Sequence, residues 1–335
     1  MTSIGNMELE YLLLGINASS AIAALSVVVI VAVLVKRGAP VSKRVSIRLQ
    51  TVISLIDLMR HIHVFFSLRG DDSLWCKFLG FFDVSLEHSY WYLNVCIALN
   101  MHLIVLLEWR PRANWELYYW ACSFGAVVVV VFPLLPLDVF GRSNSGICYI
   151  RNGEGYNDMI EVLYYNLPSS LTICYCLVTS LAIIYKVNKQ NKMPEIANAR
   201  KRLSWRKRFF VLELNNLFRR LALYPVACFL ANFGMNIHVF YGFINQAPNH
   251  TLYTWARAGF YSTGLLNLIS FISDPIVLKE VREVFGYKTK PLPFNDNYNR
   301  SFTSSEPPSS FATYQERDQI PFESENIESS IIQFL

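Results

Sequence analysis

Long apolar runs separated by short polar segments fill most of the first 276 residues of the chain. Each run is long enough to cross the ~30 Å hydrocarbon core of a bilayer as a helix. Seven such runs cover about residues 9–35, 49–68, 76–107, 117–137, 159–187, 221–243 and 252–276. The pattern predicts an all-α protein. It forms a seven-transmembrane helix bundle within residues 9–287, after a short polar extracellular leader at residues 1–8.

The sequence changes character twice after the seventh run. Residues 277–287 place apolar and charged side chains on opposite helical faces, which predicts a short amphipathic helix on the inner membrane surface. Residues 288–335 are rich in Ser, Thr and Pro and have too few apolar side chains to bury a core. We expect them to form a disordered cytoplasmic tail, whose hydroxyls are either phosphorylation sites or simply solvated.

The third run carries a polar stripe along one helical face. Spacings of three, four and seven residues bring five side chains onto this face: Asp83, Glu87, Tyr90, Asn94 and Met101. Lipid cannot satisfy such groups, so the stripe must face protein or water. We therefore expect the third helix to lie at the centre of the bundle, surrounded by the other helices.

Composition and charge placement support a membrane protein and indicate its orientation. Hydrophobic residues make up 53% of the chain and charged residues 16%, and the mean hydropathy is +0.29. Lys and Arg concentrate after the first, third and fifth runs, which places those segments inside the cell. The prediction is a multi-pass plasma-membrane protein with an extracellular N-terminus and a cytoplasmic C-terminus. The basic clusters flank apolar runs and match no nucleic-acid motif, so no nucleic-acid partner is expected.

Three sequence segments and the amphipathic helix that directly follows the seventh run carry a family resemblance. In the third run, Cys76 precedes Trp91 and the sequence CIALNMHLIV at 96–105; FRRLALYP at 218–225 opens the sixth run; GLLNLISF at 264–271 lies in the seventh. Together they resemble the slime-mould cyclic-AMP receptors and the fungal glucose-sensing-type receptors, which are G-protein-coupled receptors. The end of the seventh run, Ser273-Asp274-Pro275, departs from the polar stop that is usual in that family. The loops and the tail show no resemblance.

The resemblance implies a receptor that binds a small molecule or peptide of a nutrient or cyclic-nucleotide-like class and activates a heterotrimeric G protein, with no covalent catalysis. It also implies a disulfide between Cys76 and Cys148, which would fix a loop over the mouth of the bundle; the alternative is two free thiols. Asn249-His250-Thr251 is a candidate glycosylation site on the same side.

Two groups of polar residues are candidate functional sites. Near the outer ends of the helices, we expect a ligand cavity lined by Asp83, Glu87, Tyr90, Asn166, Asn236, His238 and Arg257. Alternatively, Arg257 forms a structural ion pair with Asp83 or Glu87. Deeper in the bundle, counting residues from the helix ends brings three side chains to one level: Asp57, Asn100 and Asn267. This layer either switches between two packing states or forms fixed contacts that hold the helices together.

The basic inner segments also have two interpretations. Residues 186–208 either contact anionic lipid or form a docking surface for the G protein. The residues expected to face the G protein are Arg110, Arg112, Arg206, Lys207, Arg208, Arg219 and Arg220.

Other functional classes have weaker support in the sequence. A small seven-span transporter or channel would show internal repeats and broken helices, and no repeat is evident. No metal or cofactor is expected: His61 and His63 point to different helical faces, and the seventh run has no Lys for a retinal Schiff base.

Overall fold

A computed structural model of the chain describes residues 2–67, 73–107, 109, 115–143, 147–151, 159–192, 223–245 and 249–284. The described residues are predominantly helical. Their α-helices are α1 (Thr2–Lys36), α2 (Val45–Ser67), α3 (Leu74–Met101), α4 (Trp115–Val131), α5 (Leu167–Lys192), α6 (Leu223–Asn245), α7 (His250–Tyr261), α8 (Thr263–Ile272) and α9 (Pro275–Val284). Two π-helical segments, His102–Leu106 and Glu161–Asn166, extend α3 and precede α5. Two 3₁₀ segments, Pro40–Lys43 and Phe132–Leu137, precede α2 and follow α4.

Five of the described helical segments are long and apolar enough to cross a membrane, as expected of a membrane protein. They are Glu8–Lys36, Leu74–Leu106, Trp115–Leu137, Glu161–Lys186 and Val226–Asn245. The other two predicted spans do not meet both criteria. Helix α2 is less apolar because Asp57, Arg60 and two histidines lie within it, and a turn at Ser262 divides the seventh run into α7 and α8.

The helices pack into a closed bundle around α3. Helix α1 contacts α2 and α8, α2 contacts α3, α3 contacts α4 and α5, and α6 packs between α5 and α7. Within the apolar part of α3, 67% of the residues are buried, against 22–39% in the other four candidate spans. This is the central position that its polar stripe predicts. Large apolar side chains cover the outward faces, as in a protein surrounded by lipid; examples are Val129 and Leu171, which are 73% and 62% exposed.

A small β-hairpin covers one end of the bundle. Strands β1 (Phe140–Arg142) and β2 (Cys148–Ile150) are antiparallel, and a disulfide joins Cys148 to Cys76 near the start of α3. Gly80 permits close packing here, because a Cβ at this position would lie 2.9 Å from the Tyr149 carbonyl oxygen. The all-α prediction omits this hairpin. We call this end of the bundle the disulfide end, and the opposite end, where α9 lies, the α9 end.

The break between α7 and α8 coincides with a close contact to α1. The Leu265 N–H, at the start of α8, donates to the Ser20 hydroxyl at 3.1 Å. A Cβ on Gly264 would lie 2.3 Å from the Ser20 carbonyl oxygen, so the two helices can approach this closely only with Gly here. Helix α1 therefore satisfies one of the backbone donors that a helix start leaves without an intrahelical acceptor.

Helix α9 corresponds to the predicted amphipathic helix, although it begins two residues earlier. Val277 is buried, and Val281 and Val284 pack onto an apolar cluster formed by the end of α1, the Pro40–Lys43 segment and α8. Its apolar face therefore lies against the bundle itself. The remainder of the predicted helix, 285–287, and the predicted disordered tail, 288–335, lie outside the described residues.

Candidate functional site

A cavity of about 470 Å³ opens at the disulfide end, between α2, α3, the hairpin, α6 and α7. This volume is typical of small-molecule sites. Its lining includes three carboxylates, one arginine and two histidines: Asp83, Glu87, Glu161, Arg257, His238 and His250.

Four of the seven predicted ligand residues line this cavity: Asp83, Glu87, His238 and Arg257. The other three, Tyr90, Asn166 and Asn236, lie elsewhere. Asn166 donates to the Asn236 carbonyl oxygen at 3.4 Å. The Asn236 side chain donates to Ser169 Oγ at 3.0 Å and accepts from Ser170 Oγ at 3.1 Å. The two asparagines therefore hold α6 against the start of α5, a structural role that spacing along the chain did not reveal.

A buried arginine is paired with Glu87, one of the carboxylates that line the cavity. Arg60 of α2 is 1% exposed, and its Nη2 donates to Glu87 Oε1 at 2.7 Å. Its Nη1 lies 3.5 Å from Asp57 Oδ1, one helical turn earlier. The guanidinium is stacked between two rings, with Cζ 4.2 Å from the centroid of Phe260 and 5.3 Å from that of Tyr90. Tyr90 therefore supports the Arg60 side chain and does not line the cavity.

Arg60 was not among the predicted site residues, although the sequence contains a signal for it. An arginine in the middle of an apolar span needs an anionic partner and indicates function by default. The acidic stripe of α3 offered that partner. The pairing also explains why Glu87 is buried, with 1% exposure, without being left uncompensated.

Arg257 does not form the predicted ion pair with Asp83 or Glu87. Its Nη1 instead contacts Glu10 Oε1 of α1 at 2.8 Å, and its Nη2 donates to Tyr261 Oη at 2.8 Å. Glu87 is already paired with Arg60. Arg257 therefore joins α7 to α1 at the disulfide end, through a contact between residues that are 247 positions apart in the sequence.

The hairpin is hydrogen-bonded to the same carboxylate cluster. Tyr149 of β2 donates its hydroxyl to Glu87 Oε2 at 3.1 Å, so Arg60 and Tyr149 satisfy both oxygens of Glu87. Burial raises the pKa of Tyr149 well above its usual value, and the neighbouring Glu87 carboxylate adds to this effect. Tyr149 thus remains a neutral donor that ties the hairpin to α3.

Asp83 is bonded differently from Glu87. It is 6% exposed and lines the cavity, yet its Oδ1 atom has no hydrogen-bond partner among the described residues. The closest basic group is His63, whose Nδ1 lies 3.5 Å away. Within the part of the chain that the structure describes, Asp83 is the cavity carboxylate with an unfilled acceptor.

Two of the three residues in the predicted polar layer are in contact. Asn267 of α8 donates to Asp57 Oδ2. Asn100 instead accepts a hydrogen bond from the Tyr119 hydroxyl of α4 at 3.1 Å. Similar depth in the bundle did not bring Asn100 to Asp57, because the helical face of Asn100 is turned towards α4. Arg60 extends the layer, since Asn267, Asp57, Arg60 and Glu87 form a continuous polar chain from α8 to the cavity.

The other predicted sites have different outcomes. The Cys76–Cys148 pair forms the disulfide, with a Cα–Cα distance of 5.1 Å. Asn249 caps α7 by accepting from the Leu252 N–H at 3.0 Å, and it also lines the cavity. A glycan on Asn249 would thus lie at the cavity mouth.

The predicted G-protein-facing residues all lie outside the described residues: Arg110, Arg112, Arg206, Lys207, Arg208, Arg219 and Arg220.

No family model matches this chain, and no curated protein matches it. The proposals below therefore rest on its residues and their geometry.

Proposed function

We propose that the protein is a cell-surface G-protein-coupled receptor that binds a small extracellular ligand and activates a heterotrimeric G protein. One observation carries this proposal: a cavity of ligand size opens at the disulfide end of a closed helical bundle, and Glu87 in its lining is the first member of a buried ionic chain. Buried charges are costly in a membrane bundle and are retained chiefly for function.

The ionic chain provides a route from the cavity to the bundle interior. Glu87 lines the cavity, Arg60 bridges Glu87 to Asp57, and Asp57 accepts from Asn267 of α8. A ligand that draws Glu87 away from Arg60 would shift Arg60 towards Asp57 and alter the contact between α2, α3 and α8. Such an exchange of partners is a two-state element that both the ligand and a G protein could bias.

The proposed topology has seven spans with the N-terminus outside. The chain crosses the membrane through α2 despite its charged centre, and α7 and α8 together form one interrupted span. The disulfide end then faces the extracellular side. In this proposal the predicted basic residues, including Arg206 and Arg219, contribute to binding the G protein, and the positive charge of segment 186–208 also favours binding to anionic lipid.

The direct test is guanine-nucleotide exchange on a panel of G proteins by the full chain in nanodiscs. Sugars, cyclic nucleotides, amino acids and amines would be added in turn, with empty discs as the control. Exchange above the empty-disc rate, increased by one ligand class, is the expected result. Exchange equal to that of empty discs across the whole panel would count against the receptor.

A small transporter is the second candidate, because one observation favours it. The turn at Ser262 interrupts the α7–α8 helix, and broken helices are common at transporter binding sites. Solute flux into liposomes, measured with the same ligand set, separates the two functions. Flux without nucleotide exchange would establish the transporter.

A further inference from the structure

We propose that the ligand of this cavity is a cation, a protonated amine or guanidine whose positive charge is held by Asp83. This inference rests on the proposed function, because it names the chemical class of the ligand for the same cavity. It departs from the cyclic-nucleotide-like class that the sequence resemblance implies.

The first support is the balance of buried charge. Three carboxylates are each at most 6% exposed: Asp83 and Glu87, which line the cavity, and Asp57, which Arg60 connects to Glu87. Among the described residues, Arg60 is the one permanently charged cation in this cluster, and it contacts only two of them, Glu87 at 2.7 Å and Asp57 at 3.5 Å. Buried charges in proteins are normally paired. The cluster therefore contains more carboxylates than permanent cations, and a further positive charge would reduce this imbalance.

The second support is the unfilled acceptor on Asp83. Its Oδ1 accepts no hydrogen bond from the described residues, although the side chain is 91% buried and lines the cavity. Both ring nitrogens of the neighbouring His63 likewise lack hydrogen-bond partners there. A ligand N–H group at Asp83 would fill this acceptor and place a positive charge beside it. Charge-assisted hydrogen bonds of this kind are the stronger ones.

The third support is that the cavity offers little to an anion. Of the described lining residues, Arg257 is the one with a fixed positive charge, and Glu10 already neutralises it. Its other donors are directed at Tyr261 Oη. A phosphate or carboxylate beside Asp83 would meet a negative charge, and Arg257 is already paired with Glu10. A cation in the same position would be attracted by the negative charge of Asp83.

The test compares the binding of ligands that share a carbon skeleton and differ in the charge of one group. The full chain in nanodiscs at pH 7 is titrated with 2-phenylethylamine, 2-phenylethanol and phenylacetate, and then with 1-hexylamine, 1-hexanol and hexanoate. We expect at least one amine to bind about ten- to a hundred-fold more tightly than its alcohol and carboxylate partners. The inference is overturned if neither amine binds more tightly than the uncharged alcohol of the same skeleton.

Variants then assign the preference to one residue. Asp83→Asn keeps the size of the side chain and should abolish the preference for the amine. Asp138→Asn is the matched control, because Asp138 lies outside the cavity with a 60% exposed side chain, and it should leave the preference unchanged. A preference that survives Asp83→Asn would contradict the assignment. If Asp83→Asn does not fold, Asp83→Ala removes the carboxylate in the same comparison, and a preference for the amine that survives Asp83→Ala would contradict the assignment.

The outcomes separate this inference from the proposed function. Amine binding through Asp83 with no nucleotide exchange on any G protein would support the cation site and contradict the proposed receptor function. Exchange stimulated only by sugars or anions would keep the receptor and overturn the cation site.

Discussion

Replacing Arg60 with Met should strongly destabilise the protein, because it removes the one described arginine within the buried carboxylate cluster. Met has no charge and replaces the aliphatic part of the arginine side chain, although it does not reach the position of Cζ between Phe260 and Tyr90. Glu87 would retain the Tyr149 hydroxyl, and Asp57 would retain Asn267, but neither carboxylate would keep a cation.

The expected cost follows from the burial of the partners. Removing one partner from a buried ion pair costs about 3–5 kcal/mol. Arg60 is shared by two carboxylates that are at most 1% exposed, so we expect a loss near the upper end, about 5 kcal/mol. Arg48→Met is the matched control. The side chain of Arg48 is 47% exposed where it pairs with Glu116, and its loss should cost less than about 1 kcal/mol.

A double-mutant cycle with Glu87→Gln makes the test specific. Alone, Glu87→Gln leaves Arg60 with Asp57 and should cost about 1–3 kcal/mol. In the Arg60→Met background the same change removes an unpaired buried carboxylate, so the double variant should be more stable than Arg60→Met. Unfolding by SDS in mixed micelles provides the free energies. Costs that simply add, or an Arg60→Met cost no larger than that of Arg48→Met, would refute the ionic cluster.

Three further predictions follow from other contacts. Changing Cys76 and Cys148 together to Ser should cost about 2–4 kcal/mol in the same assay, and an unchanged free energy of unfolding would contradict a structural disulfide. Asn267→Leu removes the hydrogen bond to Asp57 and should cost about 1–3 kcal/mol, whereas a neutral effect would contradict the polar chain. Arg257→Ala breaks a pair whose carboxylate side chain is 59% exposed, so stability should fall by less than about 1 kcal/mol; loss of surface expression would instead show that the contact between α7 and α1 is required for folding.

The sequence predicted the arrangement of the bundle best where one helical face carried a clear pattern. The polar stripe of α3 correctly indicated a central helix, because only a surrounded helix can bury Asp83 and Glu87. Depth along a helix was a weaker guide. It placed Asp57 and Asn267 together but not Asn100, because depth does not specify which way a helical face is turned.

The contacts that the sequence did not predict join distant or short segments. Arg257 pairs with Glu10, which is 247 residues away and lies near the start of the chain. The three-residue strands of the hairpin are too short for an alternating pattern to be visible. The break at Ser262 depends on the close approach of α1 to Gly264, which is a tertiary contact. These features depend on which helices become neighbours, and local spacing does not encode that choice.

The most direct test of the central claim is whether filling the cavity abolishes ligand-stimulated nucleotide exchange. Met235 of α6 lines the cavity, and Leu230 on the same helix is 55% exposed on the outer surface. With an activating ligand from the panel, the wild-type protein and Leu230→Trp should stimulate exchange equally in nanodiscs, whereas Met235→Trp should lose the response at equal expression. A wild-type protein that stimulates no G protein, or a Met235→Trp variant with an undiminished response, would contradict the account.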